Sequence, residues 1–273
     1  MEFRDVVTRR RMITLGAASA ALLLAGDRVK GIPAANRHSV ARGRAVIPPA
    51  DTSPTPTPTP KPPSPTQLPP LPRRKEAIHT LHDVLPTAPP NAISLTIDDG
   101  PHPEWTPKML DLLAEHDVKA TFSLIGIQVK QFPQLAQRIA AAGHQICNHT
   151  MNHPLDIASL SSRKVDKEIT EAHERICDAT GVVPKFFRSP GGAWSRAVFG
   201  SAARHGMLPI DWDIDPRDWA RPGTRRIKRS LLEAKGGDIL LCHDGGGDRS
   251  ETIKALGQVI PKLKARGLSF VLL

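Results

Sequence analysis

The chain has 273 residues, of which 40% are hydrophobic and 23% charged, an ordinary balance for a globular protein of one large domain or two small ones. A formal charge of +10 suggests a polyanionic partner, but residues 1–90 hold 13 Lys/Arg against 6 Asp/Glu and residues 91–273 hold 24 against 21. The excess lies in the N-terminal third, which argues against nucleic-acid binding by the folded part. The three cysteines, Cys147, Cys177 and Cys242, form no CxxC pair, which argues against a structural zinc cluster.

The N-terminus reads as an export signal. Thr8-Arg9-Arg10-Arg11-Met12-Ile13 has the form of a twin-arginine motif, and an Ala/Leu-rich run follows from Ile13 to Gly26. That run is about 14 residues, short of the roughly 20 a transmembrane helix needs, so no membrane span is expected. Twelve prolines then fall between Pro48 and Pro72, including Pro-Thr-Pro-Thr-Pro-Thr-Pro at 54–60. Proline fixes φ and lacks an N–H, so this stretch is expected to be a semi-rigid spacer. The expected organisation is a signal peptide over 1–35, a Pro/Thr-rich disordered linker over 36–90 and a folded domain over 91–273. An exported chain with a spacer suits an extracytoplasmic, cell-wall-associated protein, expected to be a monomer.

From Asn91 onward strands and helices alternate. Ile93–Ile97 alternates as a strand, and Thr106-Pro107 is expected to open a helix with Thr106 as its cap. A second strand is expected over 120–125, a helix over 133–142 stopped by Gly143, and a third strand over 145–148. A long helix follows with Val165, Ile169, Ala172 and Ile176 on one stripe. Further strands are expected over 185–188, 207–212, 239–242 and 269–272, separated by helices near 195–204, 225–235 and 250–265. This alternation predicts a parallel α/β sheet wrapped by helices. About seven units in this length predict a small (β/α) barrel, complete or incomplete.

Five polar clusters follow predicted strands, where parallel barrels carry their active sites. Asp98-Asp99-Gly100-Pro101-His102 sets two carboxylates side by side at a turn. His149-Thr150-Met151-Asn152-His153 places two imidazoles four apart, on one face if the segment is a helical turn. With Asp99 they supply two nitrogens and one oxygen, an open set for a hydrolytic divalent metal. Phe187-Arg188-Ser189-Pro190-Gly191-Gly192 offers an arginine for a carboxylate and glycines for close backbone approach. Asp215-Pro216-Arg217-Asp218-Trp219, preceded by Trp212, sets carboxylates beside tryptophans. Ile239–His243 ends an apolar strand in a histidine fit for acid–base work. Period-two alternation puts Cys147 on the face of His149 and Cys242 on the face opposite His243, so no Cys147–Cys242 disulfide is expected.

The ordered set TIDDG, HTMNH, RSPGG, DPRDW and LCH resembles the five motifs of the polysaccharide deacetylase family, carbohydrate esterase family 4 with its NodB-like catalytic domain. The resemblance spans about residues 91–273. It implies a distorted (β/α) barrel and a hydrolase of carbohydrate N-acetyl groups with one divalent metal, commonly zinc, held by Asp99, His149 and His153. By motif position Asp98 would be the general base and His243 the general acid. Arg188 would orient Asp98, and Asp218 would tune His243. Gly191 would offer its N–H to the oxyanion, and Trp219 and Leu241 would line the acetyl-methyl pocket. Two departures stand out: Ile97 where the family usually has Phe, and Gly191 where an aromatic is usual. The implied substrate is an N-acetylated polysaccharide, foremost peptidoglycan. Chitooligosaccharide deacetylation, acetylxylan esterase activity and a non-catalytic glycan reader are the alternatives.

Overall fold

The computed structural model describes residues 67–273; the twin-arginine-type segment, the apolar run and the Pro-Thr repeat lie outside them. Fifteen α and β elements follow in order. They are α1 (Leu81–Val84), β1 (Ala92–Asp98), α2 (Trp105–Glu115), β2 (Thr121–Leu124), α3 (Gly126–Gln131), α4 (Pro133–Ala141), β3 (Gln145–Asn148) and α5 (Ser162–Thr180). Then come β4 (Phe186–Phe187), α6 (Arg196–Arg204), β5 (Leu208–Pro209), α7 (Thr224–Leu231), β6 (Ile239–His243), α8 (Ser250–Ala265) and β7 (Ser269–Phe270).

All strand pairs are parallel, in the order β5-β4-β3-β2-β1-β6, with β7 also on β1. The gap between β5 and β6 is spanned by isolated bridges alone, Ile78 with Ile210, Thr80 with Asp238 and Ile214 with Leu240. The result is the expected (β/α) barrel, and it is incomplete. Among the described residues no helix is long and apolar enough to cross a membrane.

Alternation along β1 decides which side chains meet. Ile93, Leu95 and Ile97 face outward into the main core with Met109 and Leu113 of α2 and Leu256 and Ile260 of α8. Each such buried aliphatic side chain contributes roughly 1.5–3 kcal/mol. Ile97, where the family pattern has Phe, fills this layer as another apolar side chain. Ser94, Thr96 and Asp98 take the opposite face and are equally buried. The register pairs Asp98 with His243 and Ile97 with Cys242, so the two functional groups share the inner face at adjacent strand ends. Cys242 belongs to the outer core, Cys147 to an inner cluster with Ile78, Phe186 and Ile210, and all three cysteines are free thiols.

Three expectations are corrected. The linker expected over 36–90 does not reach residue 90: Ile78 and Leu81 are buried, and Ile78 N–H donates to the Pro209 carbonyl at 2.9 Å. Thr106 does not cap α2, which begins at Trp105; its hydroxyl is turned inward and donates to Asp244 Oδ2 at 2.6 Å. Ser161 is the N-cap residue of α5, without a side-chain bond to the helix. Residues 149–153 form a loop and not a helical turn, with Thr150 at φ 67° and His153 at φ 57°. Left-handed backbone at residues with a Cβ is costly and collects where the surrounding fold enforces a functional geometry.

Candidate active site

Asp98, Asp99, His149, His153, Gly191, Trp219, Leu241 and His243 all line one cleft of about 500 Å³ at the C-terminal ends of the strands. Arg188 and Asp218 stand directly behind Asp98 and His243. The structure therefore brings together every site residue expected from the sequence.

Asp98 and Arg188 form the first pair. Arg188, 1% exposed, donates from Nη1 to Asp98 Oδ1 at 2.8 Å and to Thr96 Oγ1 at 2.7 Å. Its Nη2 donates to the Asp211 carbonyl at 2.8 Å. The guanidinium is locked at several points, which fixes the plane of the Asp98 carboxylate beside it.

The second constellation is Asp99 with the two imidazoles. His149 Nε2 and His153 Nε2 stand 3.5 and 3.2 Å from Asp99 Oδ1, and one donor atom from each of the three lies within 4.8 Å of the others. Asp99 Oδ1 is buried with no hydrogen-bond donor, an orphaned acceptor of the kind a cation satisfies. With metal–ligand bonds of about 2.0–2.2 Å, two ligands of one tetrahedral ion stand about 3.4 Å apart, so the spacing fits. His149 Nδ1 lies 2.8 Å from the Arg188 carbonyl, a bond that leaves Nε2 as the lone-pair nitrogen facing Asp99. Burial opposes ionisation of Asp99, but the neighbouring histidines His149, His243 and His153 more than offset it and hold the carboxyl well below its usual range. Burial holds His153 below the ordinary imidazole value, which favours a ligating nitrogen. We expect His149→Ala to lose most of the bound divalent metal; equal metal content by elemental analysis in both proteins would sink this assignment.

His243 and Asp218 form the third group. His243 Nδ1 is 2.7 Å from Asp218 Oδ1, and the His243 N–H donates to Oδ2 at 2.9 Å. Thr252 on α8 also donates to Oδ2, at 2.8 Å. Burial of the imidazole favours its neutral form, but the bond to Asp218 and the nearby Asp218, Asp99 and Asp98 charges win, and its pKa is pushed up to about 9. A folded pKa above the ordinary 6.5 means the pair stabilises the fold fully below pH 6.5 and loses that contribution as pH rises through about 9.

Several contributors had no role assigned from the sequence. Thr96 lies two residues before Asp98, so strand alternation alone could have placed it beside Arg188. Asp244 is fully buried; burial raises its pKa to about 7, with the Asp99 and Asp98 charges adding. A Cβ on Gly100 would meet its Oδ1 at 2.4 Å, so the Asp-Asp-Gly turn rests directly on it. Arg249, 3% exposed, lines the cleft and donates from Nε to the Gly245 carbonyl. Leu155 and Trp219, 68% and 46% exposed, are apolar side chains on the cleft wall with faces open to solvent. Thr252, Arg249 and Leu155 carry no local signal, because only the fold brings them here. Gly191 has φ 59° and a Cβ there would touch only Leu155, at 3.6 Å. The loop conformation, more than space, therefore favours glycine where the family pattern has an aromatic.

A sequence profile described as polysaccharide deacetylase matches residues 86–210. A peptidoglycan-N-acetylglucosamine deacetylase of Bacillus cereus is 42% identical over 182 residues, covering 66% of this chain and 84% of the relative. A chitooligosaccharide deacetylase of Sinorhizobium fredii is 40% identical over 190 residues, covering 64% of this chain and 87% of the relative. Among solved structures, a peptidoglycan N-acetylglucosamine deacetylase in complex with 4-naphthalen-1-yl-N-oxidanyl-benzamide superposes with a TM-score of 0.66 at 33% identity. That match covers 72% of this chain and 90% of the other.

Proposed function

Because the chain belongs to the polysaccharide deacetylase family, carbohydrate esterase family 4, and is a polysaccharide deacetylase, we propose that it removes acetyl groups from N-acetylglucosamine-type residues of peptidoglycan with one divalent metal, zinc foremost. The carrying observation is the convergence of three groupings on one cleft: Asp98 with Arg188, Asp99 with His149 and His153, and His243 with Asp218. The name of the Bacillus cereus relative supports peptidoglycan; that of the Sinorhizobium relative supports the chitooligosaccharide reading, which is the second one. The twin-arginine-type sequence over residues 1–35 supports action outside the cytoplasm, beside the wall.

Asp99, His149 and His153 would hold the divalent cation, which would supply Lewis-acid polarisation of the acetamide carbonyl and a lowered pKa of water. Asp98, held by Arg188, takes the proton of the attacking water. Gly191 offers its N–H to the oxygen that gains charge. Trp219 and Leu241 wall the space for the acetyl methyl. His243, positioned by Asp218, gives its proton to the leaving nitrogen, so the amide and water become a free amine and acetate.

Acetate release from purified peptidoglycan, chitopentaose and acetylxylan by zinc-loaded protein tests the reading. Peptidoglycan should be the best substrate, and preference for chitopentaose would replace it with the second reading. Asp218→Asn should move the alkaline limb of the kcat/KM profile to lower pH, because the charge that raises His243 is gone. An unmoved limb would remove Asp218 from this role.

A further inference from the structure

A second cavity, of about 560 Å³, lies behind the 190–194 loop from the catalytic cleft and falls within the roughly 300–1,000 Å³ typical of ligand sites. Its arginine and lysine side chains are Arg73, Arg74 and Lys75, from the segment preceding α1, and Arg196, from the start of α6; His79 also lines it, 3.9 Å from the Asp211 carboxylate. None of the four has an ion pair with another described residue. Glu76 and Asp211 also line it, and Trp194 forms part of the wall. The cavity has structural supports. Leu71 N–H donates to the Ala203 carbonyl at 2.8 Å and Ile78 N–H to the Pro209 carbonyl, which pins the 73–75 segment at both ends. Trp194 Nε1 donates to Asp211 Oδ2 at 2.8 Å.

Neighbouring residues divide between the two cavities. Asp211 lines the second cavity, whereas its neighbour Trp212 lines the catalytic cleft. Ser189 and Gly191 line the cleft, and Trp194 on the same loop lines the cavity. The Asp211 carbonyl accepts from the arginine that holds Asp98. Residues 189–194 and 211–212 are thus a common wall of the two cavities, which a side branch of a polymer in the cleft would have to pass over.

We propose that this cavity is a subsite for the carboxylate-bearing peptide branch of the glycan, a proposal that rests on the peptidoglycan reading above. Four cations match free carboxylates. Glu76, which is exposed, would repel a phosphodiester polymer but accept the N–H groups of a peptide. Chitin carries no such branch, so the subsite would separate peptide-bearing glycan from chitooligosaccharide.

The test is a calorimetric titration of the full chain with a free stem peptide bearing its carboxylates, with the same peptide amidated, and with inorganic phosphate. The carboxylate peptide should bind. Amidation of the peptide, or the exposed double change Arg74→Ala with Arg196→Ala, should each weaken binding about tenfold. The double variant should lose a similar factor in kcat/KM on peptide-bearing strands and none on chitopentaose or peptide-stripped strands. No peptide binding, equal binding of the amidated form, tighter binding of phosphate, or equal loss on stripped strands would overturn the subsite. Peptide binding is read without turnover, so a chain that bound peptide yet deacetylated no peptidoglycan would overturn the substrate reading and leave the subsite standing.

Discussion

Asp98→Asn and His243→Ala should each lower kcat for acetate release about 10²–10⁴-fold while leaving the bound metal in place, the range expected for a positioned acid or base. An amide at position 98 can still accept the Arg188 Nη1 bond that now runs 2.8 Å to Oδ1, so the side chain stays where it is. It has no basicity with which to take a proton from water. Loss of the His243 imidazole removes the donor held on Asp218, and an amine leaves poorly as an anion. The two variants should differ in stability. Asp98→Asn leaves the buried Arg188 charge without its carboxylate, a defect of about 3–5 kcal/mol in other proteins. His243→Ala leaves Asp218 with its bonds from the His243 N–H and from Thr252. Activity must therefore be read well below each variant's own Tm. Wild-type rates in either folded, metal-loaded variant would remove that residue from the proton-transfer steps.

A chain that begins at Gln67 should keep its Tm and its activity on soluble oligosaccharide, whereas one that begins at Pro89 should fold poorly or not at all. The shorter chain lacks Ile78 and Leu81, which are 2% and 0% exposed. Emptying one such aliphatic site costs about 2–5 kcal/mol, against a total stability of about 5–15 kcal/mol for a typical domain. It also lacks the Ile78 bridge to Ile210 and the Thr80 bridge to Asp238, which span the open side of the barrel. Thermal unfolding of the two truncated chains decides the matter. Equal Tm values would show that residues 67–88 are an accessory to the domain.

Composition misplaced this boundary for a physical reason. Proline is frequent on both sides of the segment and masks a short apolar spacing, Ile78, Leu81 and Leu85, that yields a helix of a single turn. Two of those, three apart in sequence, drop into a seam between β5 and β6 that no local pattern reveals. The mis-assigned Thr106 cap has a similar origin. Thr followed by Pro is a good helix start in isolation, but here the buried Asp244 carboxyl claims the hydroxyl.

The sequence by itself determined the alternation of strands and helices, the parallel sheet and the identity of the groups that meet in the cleft. The elements follow from apolar periodicity, which is local, and from the rule that a side chain two residues along a strand shares its face; the groups in the cleft follow from five ordered motifs that resemble those of a known family. That parity also separated Cys147 from Cys242. Only the tertiary structure decided how the two imidazoles converge, through left-handed backbone at Thr150 and His153 that a four-residue spacing does not specify. It alone brought Thr252 from α8 onto Asp218, set Asp244 under the Asp98–Gly100 turn and left β5 and β6 joined by isolated bridges. Each of these contacts joins residues far apart in the chain, and their positions follow from how the sheet curves and closes, which is a property of all the strands together.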